Sequence, residues 1–425
     1  LDAAKRHKKG MKILVVGKGG REHALLQTLQ ESDREVELFC HPGSDAISEL
    51  ATSVEARGVS ELVGWMLGSQ VDLCIAGEES YLVKEEGLAN LCADAGIPCW
   101  GPRKESAMLE ASKAFAKTFM QRHEIPTAKS WLCESIEEAH DAIGGQFPTV
   151  LKFDGLAAGK GVAVCGSEES ANEFLGEVFS HARFGEGKLL VEEYLEGPEV
   201  SVFAAVSGES YQIFTPARDY KRIGVGDNGP NTGGMGAVAS RQLVEPEMLK
   251  RIEEEIVQPT VQGLVKDALD YRGFLYFGLM LTASRPKVIE YNCRFGDPEC
   301  QAVMPLVTGD LARYCFEGAK GSLLPDLLQL HDGWSVCVVL ASAGYPESSR
   351  SDDIISGFSE ISDARIYHAG TKRAGENWVT NGGRVLSVVA TDDSRQGAVE
   401  KAHLEAAKVT FEGSQRRKDI GILHF

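Results

Sequence analysis

Residues 151–165 read LKFDGLAAGKGVAVC. An apolar strand carrying Lys152 runs into a loop with Gly155, Gly159 and Gly161, and a second apolar strand, VAVC, follows. Glycines let backbone N–H groups approach phosphates, and Lys152 and Lys160 supply positive charge. A GxxxxGK[ST] loop would open a helix. This one returns as a strand, so the pattern predicts phosphates held between a strand and a glycine hairpin. Read alone, the stretch is equally a glycine hairpin with solvated lysines.

A second stretch, KVIEYNCRFGDPE at 287–299, makes that plain alternative less economical. Side chains two apart on a strand face the same way. Glu290, Asn292 and Arg294 therefore point into one place, and a tight Gly-Asp-Pro turn delivers Asp297 and Glu299 beside them. A carboxylate and an amide are hard oxygen ligands suited to Mg²⁺. An arginine next to them suits phosphate or carboxylate. Cys293 alternates away from the acidic face and reads as packing.

Three further segments carry candidate chemistry. KLLVEEYLEGPEV, residues 188–200, runs an apolar strand into Glu192, Glu193, Tyr194 and Leu195, with Glu199 near enough to meet a ribose hydroxyl. Acidic residues at a strand end are usually only solvated. ARDYKRIGVGDNGPNTGGMGA, residues 217–237, reads as one long glycine-rich loop holding Asp219, Lys221, Arg222 and Asn231, and such loops are functional or disordered. KGGREHA, residues 18–24, places Arg21 and His23 at a helix start, an anion seat. His23 reads as a capping or packing residue before a general base. The GxGxxG dinucleotide pattern is incomplete here, which disfavours an NAD site.

The 425 residues suggest several domains. With 44 Lys and Arg against 62 Asp and Glu, the net charge of −18 argues against a nucleic-acid carrier. No run approaches the roughly 18 apolar residues of a membrane span. The 10 cysteines are scattered with no CxxC pair, which argues against a cysteine zinc site and for buried reduced thiols in a cytoplasmic protein. Residues 1–10, LDAAKRHKKG, lack a Met and read as a tag remnant or loose leader, with the fold expected from Met11.

Strand–helix alternation from 11 to about 101 predicts an open parallel sheet, with ligands at the strands' carboxyl ends. Those ends carry Gly19-Gly20-Arg21, Pro42-Gly43 and Gly77-Glu78-Glu79. The pattern predicts one helix over 82–95 and another over 104–122. Residues 126–193 read as a small independent lobe, and 333–425 as a last unit of strands and one helix.

KGGREHA, GEESYLV, ASKAF, KFDGLAAGKGV, VEEYLEG, NTGGMGA, GFLYFGLM, IEYNCRFGDPE and RKDIG together resemble the glycinamide ribonucleotide synthetases (phosphoribosylamine–glycine ligases) of the ATP-grasp superfamily. The resemblance covers about 11–425. It implies an α/β ATP-grasp fold: an N-terminal open parallel-sheet domain (11–103), a central domain (104–125 with 194–325), a small lid lobe (126–193) and a small C-terminal α+β domain (326–425).

The resemblance also implies ATP-dependent ligation of glycine to 5-phosphoribosylamine, the second step of purine synthesis, with Mg²⁺ or Mn²⁺. Lys113 and Lys152 would contact ATP phosphates under the 155–161 loop of Gly155, Gly159, Lys160 and Gly161. Glu192, Glu193 and Leu195 would frame adenine, with Glu199 on ribose, and Glu290 and Asn292 would hold the metal. Arg294, Asp219, Asn231, Gly233, Gly234, Met235 and Gly236 would form the glycine side. Gly20, Arg21, Glu22, Glu79 and Lys221 would form the phosphoribosylamine side. Asp219 or Asp297 would take the amine's proton.

The partners implied are these small molecules, with no nucleic acid or membrane, acting as a monomer or weak homodimer. The chain departs from the usual pattern at Lys18 (commonly Asn), Glu78 (commonly Pro), Tyr220 (commonly His) and Phe153 (commonly Ala). The alternatives are another ATP-grasp carboxylate–amine ligase, biotin-carboxylase-like or formate-using, and a non-catalytic nucleotide-binding relative. NTGGMGA beside GREHA argues against the first. The presence of Lys152, Glu290, Asn292 and Arg294 argues against the second.

Overall fold

The first strand, Met11–Gly17, has five consecutive buried residues at its end, because helices cover both faces of a parallel sheet. The computed structural model describes residues 10–155 and 161–422. The opening strand sits in the middle of a five-stranded sheet, with Val36–Pro42 on one side and Leu73–Ala76 on the other, all parallel. Gly17 turns the chain into the helix Gly20–Gln30. Its φ of +136° suits glycine, and a Cβ there would meet Glu22.

The helix expected over 82–95 is two, Ser80–Val83 and Leu88–Asp94. The break falls before Gly87, whose φ of +86° no helix accommodates. The helix expected over 104–122 is also two, Lys104–Ala111 and Lys113–Arg122. Ser112 leaves the helical region, accepts the Phe115 N–H and starts the second helix as its N-cap.

The lid lobe is a four-stranded antiparallel sheet in which Thr149–Phe153 pairs with Val162–Cys165 and with Leu189–Glu193. Among the described residues, its apolar core draws only on 133–191. The 217–237 segment is more regular than a loop. It forms the strands Ala217–Asp219 and Gly236–Ala239 and, between them, a hairpin of Arg222–Gly224 with Asn228–Asn231.

The C-terminal strands extend the central sheet. Trp334–Ala341 hydrogen-bonds along Gly236–Ala239, giving one nine-stranded sheet that runs from Pro286–Asn292 at one edge to Arg365–His368 at the other. Both strands are buried along their length, so separating them would expose two apolar edges. No helix among the described residues is long and apolar enough to cross a membrane.

Candidate active site

The lid strand and the edge strand of the central sheet meet at one cavity. Lys113, Lys152, Gly155 and Gly161 line it from one side, and Glu290, Asn292 and Arg294 from the other. The strand Pro286–Asn292 carries a bulge: Glu290 pairs with Gly278, but Val288 pairs with Leu279, leaving Ile289 extra. The freed Ile289 carbonyl accepts from Lys152 Nζ at 3.0 Å, tying the lid to this edge. Glu290 and Asn292 are both half-buried on the cavity side, as the alternation predicted. A carboxylate and an amide on one wall, opposite two lysines, are a donor set that would suit a hard divalent cation.

The lysines are held rather than free. Lys113 Nζ donates to the Gly155 carbonyl at 2.9 Å, fixing the base of the glycine hairpin, and burial lowers its pKa. Asp154 ties the same corner down, accepting from the Ser112 hydroxyl at 3.1 Å and the Ala114 N–H at 3.1 Å. Gly159 and Lys160 lie outside the described residues.

Glu192 was expected to frame adenine, but it is 3% exposed and paired with Lys152 at 3.0 Å and Lys117 at 3.2 Å. Its Oε1 has no hydrogen-bond partner, leaving one acceptor on the cavity wall. Lys117 escaped the sequence reading. Its signal was the i, i+4 spacing from Lys113, and burial drives its pKa down to about 8. Glu193 pairs with Lys287 at 2.8 Å and accepts the Lys129 N–H, so it joins the lid to the sheet edge. Leu195 is half-buried where the chain leaves the lid.

A run of alternating charges leads from the cavity into the N-terminal domain. Arg294 Nη2 lies 2.7 Å from Glu110 and its Nε 3.0 Å from Glu79. Glu79 in turn lies 4.0 Å from Arg21, and Arg21 lies 2.6 Å from Glu22. The two arginines hold Glu79 down at about 2 against the effect of burial. Burial pushes Glu110 up to about 7 despite Arg294. Nothing in the sequence around Glu110 marked it, since it sits in an ordinary helical pattern.

Several expected substrate contacts face inward. Glu22 is 2% exposed, and its carboxylate accepts from Arg21 Nε and the Gly19 N–H. It clamps the first turn, not a ligand. The Met235 side chain is fully buried, and its N–H and carbonyl go to Tyr220 and Val339. Gly236 is paired in the sheet, where a Cβ would strike the Cys337 carbonyl at 2.6 Å. Gly20 is buried beside Gln301. Gly233 and Asn231 stay exposed.

Arg384, from the C-terminal segment, was missed because it is remote in sequence. Its Nη1 donates to the Gly233 carbonyl at 2.6 Å and the Asp297 carbonyl at 2.7 Å, and Nη2 lies 3.3 Å from the Asp297 carboxylate.

Glu199 and Lys221, assigned to ribose and to phosphoribosylamine, are paired at 2.6 Å, so the two sides of the site adjoin. Beside them burial pushes Asp219 up, whereas Arg384 and Arg21 hold Asp297 down. Glu299, 4% exposed, is pushed up to about 7 by burial and by Asp219. His23 accepts the His368 N–H at 3.0 Å and packs against Tyr367, and burial takes its pKa down to about 4. It is a neutral packing residue. Tyr220 accepts the Gly421 N–H at 3.0 Å through its hydroxyl, a reach a histidine would not have.

Three family models match the chain in succession: the phosphoribosylglycinamide synthetase N domain over residues 11–110, its ATP-grasp (A) domain over 111–300 and its C domain over 335–423. A phosphoribosylamine–glycine ligase of Chlorobaculum tepidum is 40% identical over 423 residues, covering 97% of this chain and 99% of the relative. A solved phosphoribosylamine–glycine ligase from Thermotoga maritima superimposes with a TM-score of 0.85 at 33% identity, over 96% of this chain and 100% of that one. A biotin carboxylase from Campylobacter jejuni superimposes with a TM-score of 0.73 at 16% identity, over 98% and 95%, a likeness of fold alone.

Proposed function

Because the chain belongs to the phosphoribosylglycinamide synthetase family, we propose a division of labour among its residues for that family's reaction. The chain is an ATP-grasp enzyme that ligates glycine to 5-phosphoribosylamine at the expense of ATP, giving glycinamide ribonucleotide, ADP and phosphate. The observation that carries the assignment of roles is the single cavity where Lys113 and Lys152 face Glu290, Asn292 and Arg294.

Glycine's carboxylate is a poor electrophile, so phosphoryl transfer to it as glycyl phosphate creates a leaving group. Lys113 and Lys152 hold phosphate oxygens, and Lys117 keeps Glu192 aligned beside them. Glu290 and Asn292 would hold a divalent cation, Mg²⁺ or Mn²⁺, which would supply charge neutralisation at the transferring group. Arg294 spends three of its five donors on Glu79, Glu110 and the Phe295 carbonyl. The remaining two serve a substrate oxygen, with the guanidinium held in a fixed plane.

The incoming amine attacks the acyl carbon while neutral. Asp219 is the better proton acceptor, because burial raises its pKa while Arg384 and Arg21 lower that of Asp297. Asp297 instead anchors the turn through Arg384. Acyl phosphates hydrolyse in water, so the lid closes before transfer. Ten reduced, buried thiols support a cytoplasmic setting.

The test is ADP release from Mg-ATP with glycine alone and with glycine plus freshly generated phosphoribosylamine. Dependence on both substrates with formation of glycinamide ribonucleotide is the expected result. Release that ignores both substrates overturns the reading.

A further inference from the structure

Three cysteines outside the ligand cavity converge inside the N-terminal domain. Cys74 lies in the strand Leu73–Ala76 and Cys99 in the neighbouring strand Cys99–Trp100, as register partners. Cys92 comes from the helix Leu88–Asp94. The three sulfurs all lie within 4.8 Å of one another, and all three cysteines are free. Cys74 and Cys92 are fully buried and Cys99 is 8% exposed. No sequence motif announces the cluster, because a parallel pair and the helix between its strands bring together positions far apart in the chain.

Cys99 also lines a second cavity of about 350 Å³. Arg103, Arg272 and Lys320 stand on its wall with one carboxylate, Asp270. The cavity gives a small ion an approach to Cys99 past Asp270, whose carboxylate already pairs with Arg103 and Arg272.

We propose that Cys74, Cys92 and Cys99 bind one thiophilic d¹⁰ cation, Zn²⁺ or Cu⁺. Thiolates select these ions among the first-row metals. A metal–sulfur bond of about 2.3 Å places three trigonal sulfurs about 4 Å apart, so the existing spacing needs to tighten by less than about 1 Å. Each S–H exchanges its proton for a bond to the metal, the protons go to solvent, and no electron changes hands. The strand that carries Cys74 leads directly into Gly77-Glu78-Glu79, so occupancy would stiffen the base of the loop that presents Glu79 to Arg294.

The experiment titrates the full, reduced chain with Zn²⁺ alone and with Cu⁺ alone against a chromophoric chelator, with Co²⁺ as a spectroscopic stand-in for zinc. We expect one equivalent retained, a thiolate-to-cobalt charge-transfer band, and proton release on binding. Cys92→Ala should weaken retention roughly 100-fold with an unchanged circular dichroism spectrum, while Cys133→Ala in the lid should leave it intact. Zinc retained without copper indicates a fourth ligand from the cavity, and copper without zinc a three-coordinate site. Retention of neither ion overturns the proposal. So does retention unaffected by Cys92→Ala, or loss of two thiols to a disulfide on air exposure with no metal held.

Discussion

Arg294 and Glu79 face each other across the seam between the central and N-terminal sheets, Nε to Oε2 at 3.0 Å. Both residues line the lysine-walled cavity, and Glu79 lies on the loop after the fourth-placed strand of the first sheet. Their contact makes the orientation of the Arg294 guanidinium depend on the N-terminal domain.

Arg294→Ala should therefore damage the fold as well as the chemistry. It strands Glu79 and Glu110 without their shared partner, and breaking a buried pair costs about 3–5 kcal/mol. Urea unfolding should show a lower midpoint and an extrapolated stability lower by about that amount, and an unchanged midpoint would mean the pair is solvated.

Glu110 gives the seam a pH signature. Its folded pKa, about 7, lies above the ordinary 4.5. The native state thus binds the proton more tightly, so this contribution to stability is complete below pH 4.5 and lost as pH rises toward 7. Glu79, at about 2, works in the opposite sense: its contribution is complete above 4.5 and lost as pH falls through 2. Glu110→Gln should flatten the loss between pH 4.5 and 7, read from unfolding midpoints across that window.

Glu290→Gln should lower ADP formation by at least about 100-fold, with near-native unfolding and ATP still bound. Substantial turnover in this variant would remove Glu290 from the cation site.

Ser112→Ala removes an N-cap, costing about 1 kcal/mol, and also one of Asp154's two anchors at the glycine hairpin. The KM for ATP should rise more than that for glycine, in steady-state assays varying each in turn.

Arg384→Ala should do the reverse. It releases the carbonyls of Gly233 and Asp297, so KM for glycine and phosphoribosylamine should rise with that for ATP little changed. Arg384→Lys should recover only part, since lysine cannot brace two loops in one plane.

The strands and the glycine hairpin were legible because their apolar periods and turn glycines are local. So was the pairing of Glu290 with Asn292. Ser112 was not, since Ala and Lys on either side favour an unbroken helix, and only Asp154, far along the chain, shows why it breaks. Arg384 and Glu110 act through partners that no spacing rule connects, and the i, i+4 spacing of Lys117 from Lys113 does not point to its partner Glu192. Met235 and Gly236 sit in a motif whose glycines suggested open backbone, but sheet pairing consumed their hydrogen bonds.

Among the described residues, the lid's core is closed on itself, with no apolar residue borrowed from either sheet. It joins the edge strand through few threads among the described residues: the Val288 N–H on the Pro126 carbonyl, the Thr127 hydroxyl on the Val288 carbonyl, Lys152 on the Ile289 carbonyl and Glu193 on Lys287. Mutational drift within the lobe is therefore judged by the lobe alone. Substitutions inside the lobe should leave both sheets' packing intact, and the closure proposed for it should be set at those threads, apart from the architecture beneath.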